Sequence, residues 1–307
     1  MNQEFTRRVQ SIVDNVRQVV VANPEVIKLS LLGLLCQGHV LLDDLPGVGK
    51  TLLAKSLARS IQANFKRIQF TPDLLPTDIT GSSIYNQTTG EFKFVPGPVF
   101  ANIVLADEIN RYSPRTQSAL LEAMGEGYVT FDGVTYPLPK PFFVIATRNV
   151  AETHGIFSLP ESQLDRFLLS FGIGYPKPAE EVEILERHEH GEPQLSPVLT
   201  AEDISIMQGQ VYQVQVARPV KEYIARITGE TRANPNIVIG VSPRGAVALQ
   251  RATQARAAMS GRDYSTPDDV KAVAPAVLRH RIVVRSSEPD AASKCLDEVL
   301  STVPVPL

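Results

Sequence analysis

The sequence predicts an α/β fold, in which a parallel sheet flanked by helices is followed by a smaller, all-helical domain. Over the first half of the chain, apolar segments of strand length alternate with segments of helical spacing, an order typical of a parallel sheet covered by helices. Beyond the segment GYPKP, residues 174–178, helical patterns take over. We therefore expect an α/β domain of residues 1–190 and a helical domain of residues 191–307.

The first two elements are predicted to be helices. Apolar residues recur at helical spacing within residues 4–22. A second helix is expected from Pro24 to Gln37, and Gly38 is expected to end it. The strand HVLL follows at residues 39–42, then a loop with two glycines, then the helical pattern TLLAKSLARSI.

Four further apolar segments have the length of strands. They are FKRIQF at 65–70, NIVLAD at 102–107, FFVIAT at 142–147 and RFLLSFGI at 166–173. Between the second and third lies a helical pattern at residues 113–124, where Ser113 is the expected N-cap and Pro114 opens the first turn. These segments complete the expected parallel sheet.

Two predicted hairpins interrupt this order, at residues 82–94 and 127–139. The second contains Asp132-Gly133 between two β-prone segments, a strong hairpin signal. Each hairpin is either surface decoration or a working loop on one face of an assembly.

The C-terminal part reads as a linker at residues 188–197 followed by helical patterns. Two of these patterns start with Ser-Pro or Thr-Pro, which suits an N-cap followed by a first-turn proline. The four predicted helical segments are TAEDISIMQGQVYQV, VKEYIARITGETRA, SPRGAVALQRATQARAAM and TPDDVKAVAPAVLRHRI.

Composition favours a globular protein of the cytoplasm. The net charge of -3 and the pI of about 6.0 give no general nucleic-acid footprint. The N-terminal segment carries charges where a signal peptide needs an apolar core, and no apolar run reaches the roughly 20 residues of a membrane span. Cys36 and Cys295 lie far apart in sequence, as expected of free thiols in a reducing compartment.

The loop LPGVGKT, residues 45–51, predicts a phosphate-binding site. Gly47 and Gly49 permit backbone conformations that aim amide hydrogens at phosphate oxygens, and the following helix offers its positive end. Lys50 adds a charge, and Thr51 adds a hydroxyl for Mg²⁺. Asp44 stands where the usual pattern has its first glycine, and we expect it to point away and accept hydrogen bonds from nearby backbone.

Two carboxylates end the strand IVLA, and polar residues end the strand FFVIAT. Asp107 is predicted to bind the Mg²⁺ of a bound triphosphate, directly or through water. Glu108 is predicted to orient the attacking water or accept its proton. Asn149 is predicted to contact that water or the γ-phosphate, with Thr147 and Arg148 as competitors.

Two arginines further along the chain are candidates for contacts with phosphate. Arg166 either pairs with Asp165 or Glu161, or it reaches into the site of a neighbouring subunit, where it would stabilise transition-state charge. Arg244 lies in the first turn of the helix capped by Ser242 and could face the phosphates from the second domain. Nucleotide state would then control the angle between the domains.

Together these segments resemble the AAA+ ATPases and, more narrowly, the MoxR family. The resemblance covers nearly the whole chain, and an acidic residue at the position of Asp44 is normal for that family. The matching segments are LPGVGKT (45–51), ADEINRYSPRTQSALLEAM (106–124), FFVIATRN (142–149), GIFSLPESQLDRF (155–167), VSPRGAVALQRATQARA (241–257) and VLRHRI (277–282).

The resemblance implies a P-loop NTPase core with an N-terminal helix and two hairpin inserts, followed by a small helical lid. It implies that ATP and Mg²⁺ bind to a ring, commonly a hexamer, with ATP between subunits. The implied nucleotide-binding residues are Pro46, Gly47, Val48, Gly49, Lys50, Thr51 and Leu52. The implied Mg²⁺ ligands are Thr51 and Asp107, and the implied catalytic residues are Glu108 in Walker B, Asn149 as sensor 1, Arg166 as arginine finger and Arg244 as sensor 2.

The sequence departs from the family pattern near sensor 1. Arg148 stands where members often carry Gln, and Val150 stands where Pro is common. Arg111 and Arg115 compete with Arg166 for the role in the neighbouring site.

The resemblance also implies a chaperone-like motor that matures or assembles protein clients, often with a partner that bears a von Willebrand A domain. Two alternatives remain at this point. One is a nucleotide-gated scaffold with little turnover, and the other is a DNA-remodelling motor of the same helix-2-insert branch, although nucleic acid is not the expected partner.

Overall fold

The computed structural model describes residues 3–69, 73–88, 90–149, 156–191, 193–286, 288 and 290–306. Thr89 of the first predicted hairpin and Glu192 of the predicted linker lie outside the described residues. So do Val150 and Gly155, which belong to the motifs near sensor 1 and before Arg166.

The helices and strands are bounded as follows. The helices are α1 (Gln3–Arg17), α2 (Pro24–Leu35), α3 (Lys50–Ser60), α4 (Pro76–Thr80), α5 (Pro114–Glu126), α6 (Glu161–Leu164), α7 (Pro178–His190), α8 (Ala201–Tyr212), α9 (Arg218–Ala233), α10 (Pro243–Met259), α11 (Pro267–Leu278) and α12 (Ala291–Thr302). The strands are β1 (Val40–Asp43), β2 (Phe65–Ile68), β3 (Gly81–Asn86), β4 (Glu91–Pro96), β5 (Ile103–Ala106), β6 (Tyr128–Phe131), β7 (Val134–Pro137), β8 (Phe143–Arg148), β9 (Leu169–Phe171), β10 (Ile237–Ile239) and β11 (Val283–Val284).

Five strands form the predicted parallel sheet, in the order β2-β5-β8-β1-β9. All five were expected from the sequence, and the α/β fold class is confirmed. The strand order puts β8 between β5 and β1, so the carboxyl ends of these three strands lie side by side. Ligand sites of open α/β sheets form at such an edge.

Side chains alternate between two hydrophobic clusters on the two faces of the sheet. Ile103 and Leu105 of β5 enter the cluster that also contains α1, α2, α3 and the C-terminal helices. Val104 and Ala106 enter the cluster beneath α4, α5 and the hairpin bases. This alternation follows from the two-residue period of a strand. Burial on both faces explains why β1, β5, β8 and β9 are largely apolar, whereas the edge strand β2 exposes Lys66 and Arg67.

The N-terminal helices differ from the prediction at their ends. α1 ends at Arg17, whereas helical spacing was traced to residue 22. After α2, the left-handed residue is Gln37, with φ 54°, and Gly38 does not have positive φ. Gly38 is needed for space instead, because a Cβ there would lie 2.6 Å from the Cβ of Leu168.

Both hairpins are present as β3–β4 and β6–β7. Asp132 and Gly133 both have positive φ, as the two-residue turn requires. Phe94 of the first hairpin stacks on Tyr136 of the second, with 4.2 Å between ring centroids, and it also contacts Phe131 and Phe100. The two hairpins therefore pack as one unit.

The C-terminal region is helical as predicted, with a two-stranded ribbon, β10–β11, added to it. The helices α7 and α12 were not predicted, and α7 extends to His190, inside the segment expected to be a linker. Within the described residues, no helix has both the length and the apolar character needed to cross a bilayer.

His39 precedes β1 and is buried between α5 and β8. Its Nδ1 accepts a hydrogen bond from the backbone N–H of Val144, so Nε2 carries the proton and donates to the carbonyl of Met124. Burial lowers the pKa of His39 to about 4, and the hydrogen bond to Met124 opposes this shift. The neutral imidazole therefore belongs to the folded state.

We expect acid to destabilise the protein through His39. Above pH 6.5 the imidazole is neutral in both states, whereas from pH 6.5 down to about 4 only the unfolded state binds the proton. The free energy of unfolding should fall by about 1–2 kcal/mol between pH 6.5 and pH 5 from this group. Urea unfolding of wild type and of His39→Asn at both pH values measures it.

His280 provides the internal reference, because burial also lowers its pKa and it is retained in both proteins. His39→Asn should be less stable at pH 7 but should lose less stability on acidification. Equal pH dependence in the two proteins would contradict the assignment.

Candidate nucleotide-binding site

The phosphate-binding loop connects β1 to α3 at the carboxyl edge of the sheet. Gly47 and Gly49 have φ of 86° and 89°, a region that favours glycine. Gly49 is the N-cap of α3, and no described side chain caps the helix. A Cβ at either glycine would meet open space, so the first-turn amides of α3 face a cavity and can receive an anion.

Asp44 turns away from this cavity, as expected from the sequence. Its side chain is buried and accepts hydrogen bonds from the backbone N–H groups of Leu45, Ile173 and Gly174. The carboxylate therefore fastens the loop to the segment that follows β9. Lys50 donates to the backbone carbonyl of Asp44 across the loop, with 3.2 Å between the atoms.

A cavity of about 380 Å³ brings most of the predicted site residues together. Asp107 and Glu108 reach it from the end of β5, and Asn149 reaches it from the end of β8. The described lining consists of Pro46, Gly47, Gly49, Lys50, Thr51, Leu52, Arg67, Asp107, Glu108 and Asn149. Lysine, threonine hydroxyl and carboxylates on one cavity are the groups that a metal-bound triphosphate requires.

Thr147 fixes the two carboxylates at the end of β5. Its hydroxyl donates to Oδ1 of Asp107 and accepts from the backbone N–H of Glu108, both at 2.8 Å. Glu108 has φ 53° and ψ 53°, a left-handed conformation that costs energy for a residue with a side chain. The hydrogen bond that the backbone N–H of Glu108 donates to buried Thr147 offsets that cost. Thr147, a predicted competitor of Asn149, thus orients the carboxylates.

Two arginines of the same chain neutralise the carboxylates. Arg67 of β2 contacts Oδ2 of Asp107 through Nε at 3.1 Å and Nη2 at 2.5 Å. Arg111 pairs with Glu108 at 3.2 Å. Arg67 was not predicted as a site residue, because a charged residue in the strand FKRIQF looks like an ordinary solvent-facing position. Only the pairing of β2 with β5 brings it to Asp107.

The unusual Arg148 has a partner that the sequence did not reveal. It forms a two-pronged ion pair with Asp43 of β1, at 2.7 and 2.9 Å. The hydroxyl of Ser170 donates to the same carboxylate. Arg148 therefore joins β8 to β1 beside the phosphate-binding loop and leaves Asn149 as the polar side chain at the cavity.

A second cavity, of about 600 Å³, adjoins the loop on its other side. Val48 lines it together with Gly47, Gly49 and Leu52. The remaining described lining comes from residues 19–24, residues 173–177 and Glu180, Ile184, Arg187, His188 and Pro193. Its apolar walls suit a nucleobase. The sequence analysis missed this cavity because its walls come from three segments that share no local pattern.

Arg166 and Arg244 are not in the described lining of either cavity. Arg166 is half-buried and donates from Nη1 to the carbonyl of Leu121 in α5, at 2.7 Å. Its predicted alternative partner Asp165 is bonded to Arg281 and Ser242 instead. Arg244 is exposed in the first turn of α10. Arg115 is exposed at the start of α5, where Ser113 is the N-cap.

The residues fit a nucleoside triphosphate with its Mg²⁺. The uncapped amides of α3 and the side chain of Lys50 supply donors and positive charge, and Thr51 and Asp107 supply oxygen ligands in the same cavity.

Two family models match the chain. A model of the ATPase family associated with various cellular activities (AAA) matches residues 39–169. This region runs from the residue before β1 to the first residue of β9 and contains the phosphate-binding loop. A model of the AAA lid domain matches residues 229–302, which run from the end of α9 to the end of α12.

Individual proteins resemble the chain over most of its length. Chaperone MoxR1 of Mycobacterium tuberculosis is 41% identical over 95% of this chain and 80% of its own. YeaC of Bacillus subtilis is 50% identical over 96% of this chain and 94% of its own. A crystal structure from Cytophaga hutchinsonii, described as a candidate ATPase, superposes with a TM-score of 0.91 at 35% identity and covers 99% of this chain and 96% of that one.

Removal of the Asp44 carboxylate should destabilise the fold rather than the phosphate contacts. Asp44→Ala leaves three backbone donors without their acceptor, and we expect a loss of about 3 kcal/mol in the free energy of unfolding. Asp44→Asn keeps one acceptor oxygen and should lose less. Urea unfolding without nucleotide measures both.

Binding of a fluorescent ATP analogue to the folded variants separates the two possible roles of Asp44. Unchanged stability combined with altered nucleotide affinity would show that Asp44 acts on the phosphates and would contradict the proposed fastening role.

Proposed function

Because the chain belongs to the MoxR family of AAA ATPases, we propose that it hydrolyses ATP with Mg²⁺ and uses the energy to remodel protein clients as a ring oligomer. The observation that carries this proposal is the single cavity lined by Lys50, Thr51, Asp107, Glu108 and Asn149. These residues come from three separate segments, and together they supply every group that triphosphate hydrolysis needs on one subunit.

Each residue has a role that follows from its chemistry. Lys50 and the α3 amides hold the phosphates, and Thr51 and Asp107 hold Mg²⁺. When bound, Mg²⁺ neutralises charge that develops on the phosphate oxygens. Glu108 orients the attacking water and takes its proton, after its carboxylate leaves Arg111. Asn149 contacts the water or the γ-phosphate.

Pro46, Gly47, Val48, Gly49 and Leu52 shape the walls around the nucleotide in this proposal. Their presence in the two adjoining cavities supports the assignment. The larger cavity would take the base and the smaller cavity the phosphates. We divide the chain into a core of residues 1–190 and a lid of residues 191–307.

Arg166 acts in trans in this proposal, from an adjacent subunit. Its absence from the described lining of its own cavities and its contact with α5, away from those cavities, support that role. Arg111 is a weaker candidate because it pairs with Glu108 of its own chain. Arg244 approaches the phosphates of its own subunit when the lid closes.

The biological setting is proposed from the relatives. MoxR1 is named as a chaperone, which supports protein clients rather than DNA. A hexameric ring, a partner with a von Willebrand A domain and a cytoplasmic location complete the proposal. The free thiols of Cys36 and Cys295 support a reducing compartment.

Substitution of two residues separates binding from hydrolysis. Lys50→Ala should weaken ATP binding about 10- to 100-fold, because a charged donor to phosphate is lost. Glu108→Gln keeps the shape but not the base, so it should bind ATP normally and lower kcat about 10²- to 10⁴-fold. Phosphate release and nucleotide titration measure both.

Full turnover by Glu108→Gln would contradict the role of Glu108. Absent turnover in wild type at every protein concentration would favour a nucleotide-gated scaffold, and stimulation of the ATPase by DNA would favour a DNA motor.

A mixture of two inactive variants tests the role in trans. Arg166→Ala subunits keep their own sites, and Lys50→Ala subunits keep Arg166. An equimolar mixture should therefore hydrolyse ATP well above the sum of the separate variants, because Lys50→Ala subunits complete the sites of their neighbours.

The same mixture with Arg111→Ala or Arg115→Ala in place of Arg166→Ala is the matched control. If a mixture that contains Arg111→Ala or Arg115→Ala regains ATPase activity and the mixture that contains Arg166→Ala does not, the arginine replaced in the active mixture has the role in trans.

A further inference from the structure

Asp165 lies where the AAA region and the lid region meet. It is the C-cap of α6 and precedes Arg166 directly. One oxygen of its carboxylate, Oδ1, accepts from Nε of Arg281, and the other, Oδ2, accepts from the hydroxyl of Ser242, both at 2.8 Å. Asp165 belongs to the segment matched by the AAA model, whereas Arg281 and Ser242 belong to the lid match.

Both lid residues that bind Asp165 make further contacts within the lid. Ser242 is the N-cap of α10, so its hydroxyl also accepts from the backbone N–H of Gly245. A Cβ on Gly245 would lie 3.0 Å from Cδ of Arg281, which shows how closely α10 packs on that arginine. Arg281 comes from VLRHRI, a family segment to which the proposed reaction gives no role.

Arg281 fastens the lid to the segment that contains Arg166. Its side chain is 2% exposed, and it donates to the backbone carbonyls of Phe167, Leu168 and Val277 as well as to Asp165. A buried guanidinium that loses its carboxylate partner is strongly destabilising. The bond to Asp165 therefore holds the lid against the segment that contains Arg166, which is also tied to α5 through the carbonyl of Leu121.

We propose that Asp165 is a positioning residue that uses contacts with the lid to hold Arg166 in the place from which it reaches the adjacent subunit. Ser242 stands two residues before Arg244, the lid arginine assigned to the nucleotide of the same subunit. Arg166 follows Asp165 and is assigned to the nucleotide of the adjacent subunit. One carboxylate thus connects the groups that contact two successive sites. This inference rests on the proposed function and adds a positioning role for Asp165.

The test uses the mixture of Arg166→Ala and Lys50→Ala subunits with a second substitution in the Lys50→Ala donor. Donors with Lys50→Ala and Asp165→Asn should restore about 10- to 100-fold less activity than Lys50→Ala alone, because a small misplacement of Arg166 costs that much. The neighbour's KM for ATP should stay unchanged, since the defect lies in a group donated across the interface.

Ser242 provides a milder pair of variants that keep the Asp165–Arg281 bond. Donors with Ser242→Ala should restore about threefold less activity, and donors with Ser242→Thr, which keeps the hydroxyl, should regain it. Thermal unfolding of each donor identifies misfolded protein. If Asp165→Asn does not fold, the Ser242 pair decides the question.

The outcomes distinguish this inference from the proposed function. If Lys50→Ala donors do not restore Arg166→Ala subunits at all, the trans assignment fails. If they do, and donors with Asp165→Asn or Ser242→Ala restore equally well, the positioning role of Asp165 is overturned while the ATPase proposal stands. In mixtures with these donors, a raised KM for ATP with unchanged kcat would also overturn the positioning role of Asp165.

Discussion

The parallel pairing of β5, β8 and β1 is the constraint on which the site depends. Because these strands are neighbours and run in one direction, the residues that follow them emerge at one edge. The loop after β1, the carboxylates after β5 and Asn149 after β8 thereby share a cavity, although about 100 residues separate the first from the last. Buried apolar faces on both sides of the sheet fix the register, since a shift by one residue would exchange them.

Polar contacts between strand ends then set the fine geometry. Thr147 ties the two residues after β5 to β8, and Arg148 ties β8 to Asp43 at the end of β1. Asp44 extends the chain of contacts to the segment after β9. A left-handed glutamate persists at the centre of this network because its backbone N–H has a buried acceptor. The geometry of the cavity therefore depends on neighbouring residues that lie outside its described lining.

Sequence reasoning succeeded where a strand and its polar ending lie in one continuous segment. The loop at 45–51, the pair Asp107–Glu108 and Asn149 each carry that pattern, so their convergence followed from the fold class. It failed where partners come from distant segments, as with Arg67, whose role depends on pairing between β2 and β5. The larger cavity was missed for the same reason. So was the reason for a glycine at position 38, where a side chain would collide with Leu168 from a distant segment.

The aromatic contact between the hairpins has a consequence for how relatives of this chain can diverge. Phe94 fits against Tyr136 and Phe131, which lie in a different insert of the chain. A chimera that exchanges only one insert would leave large rings facing an unmatched surface. A change of ring size in one insert is therefore expected to require a compensating change in the other.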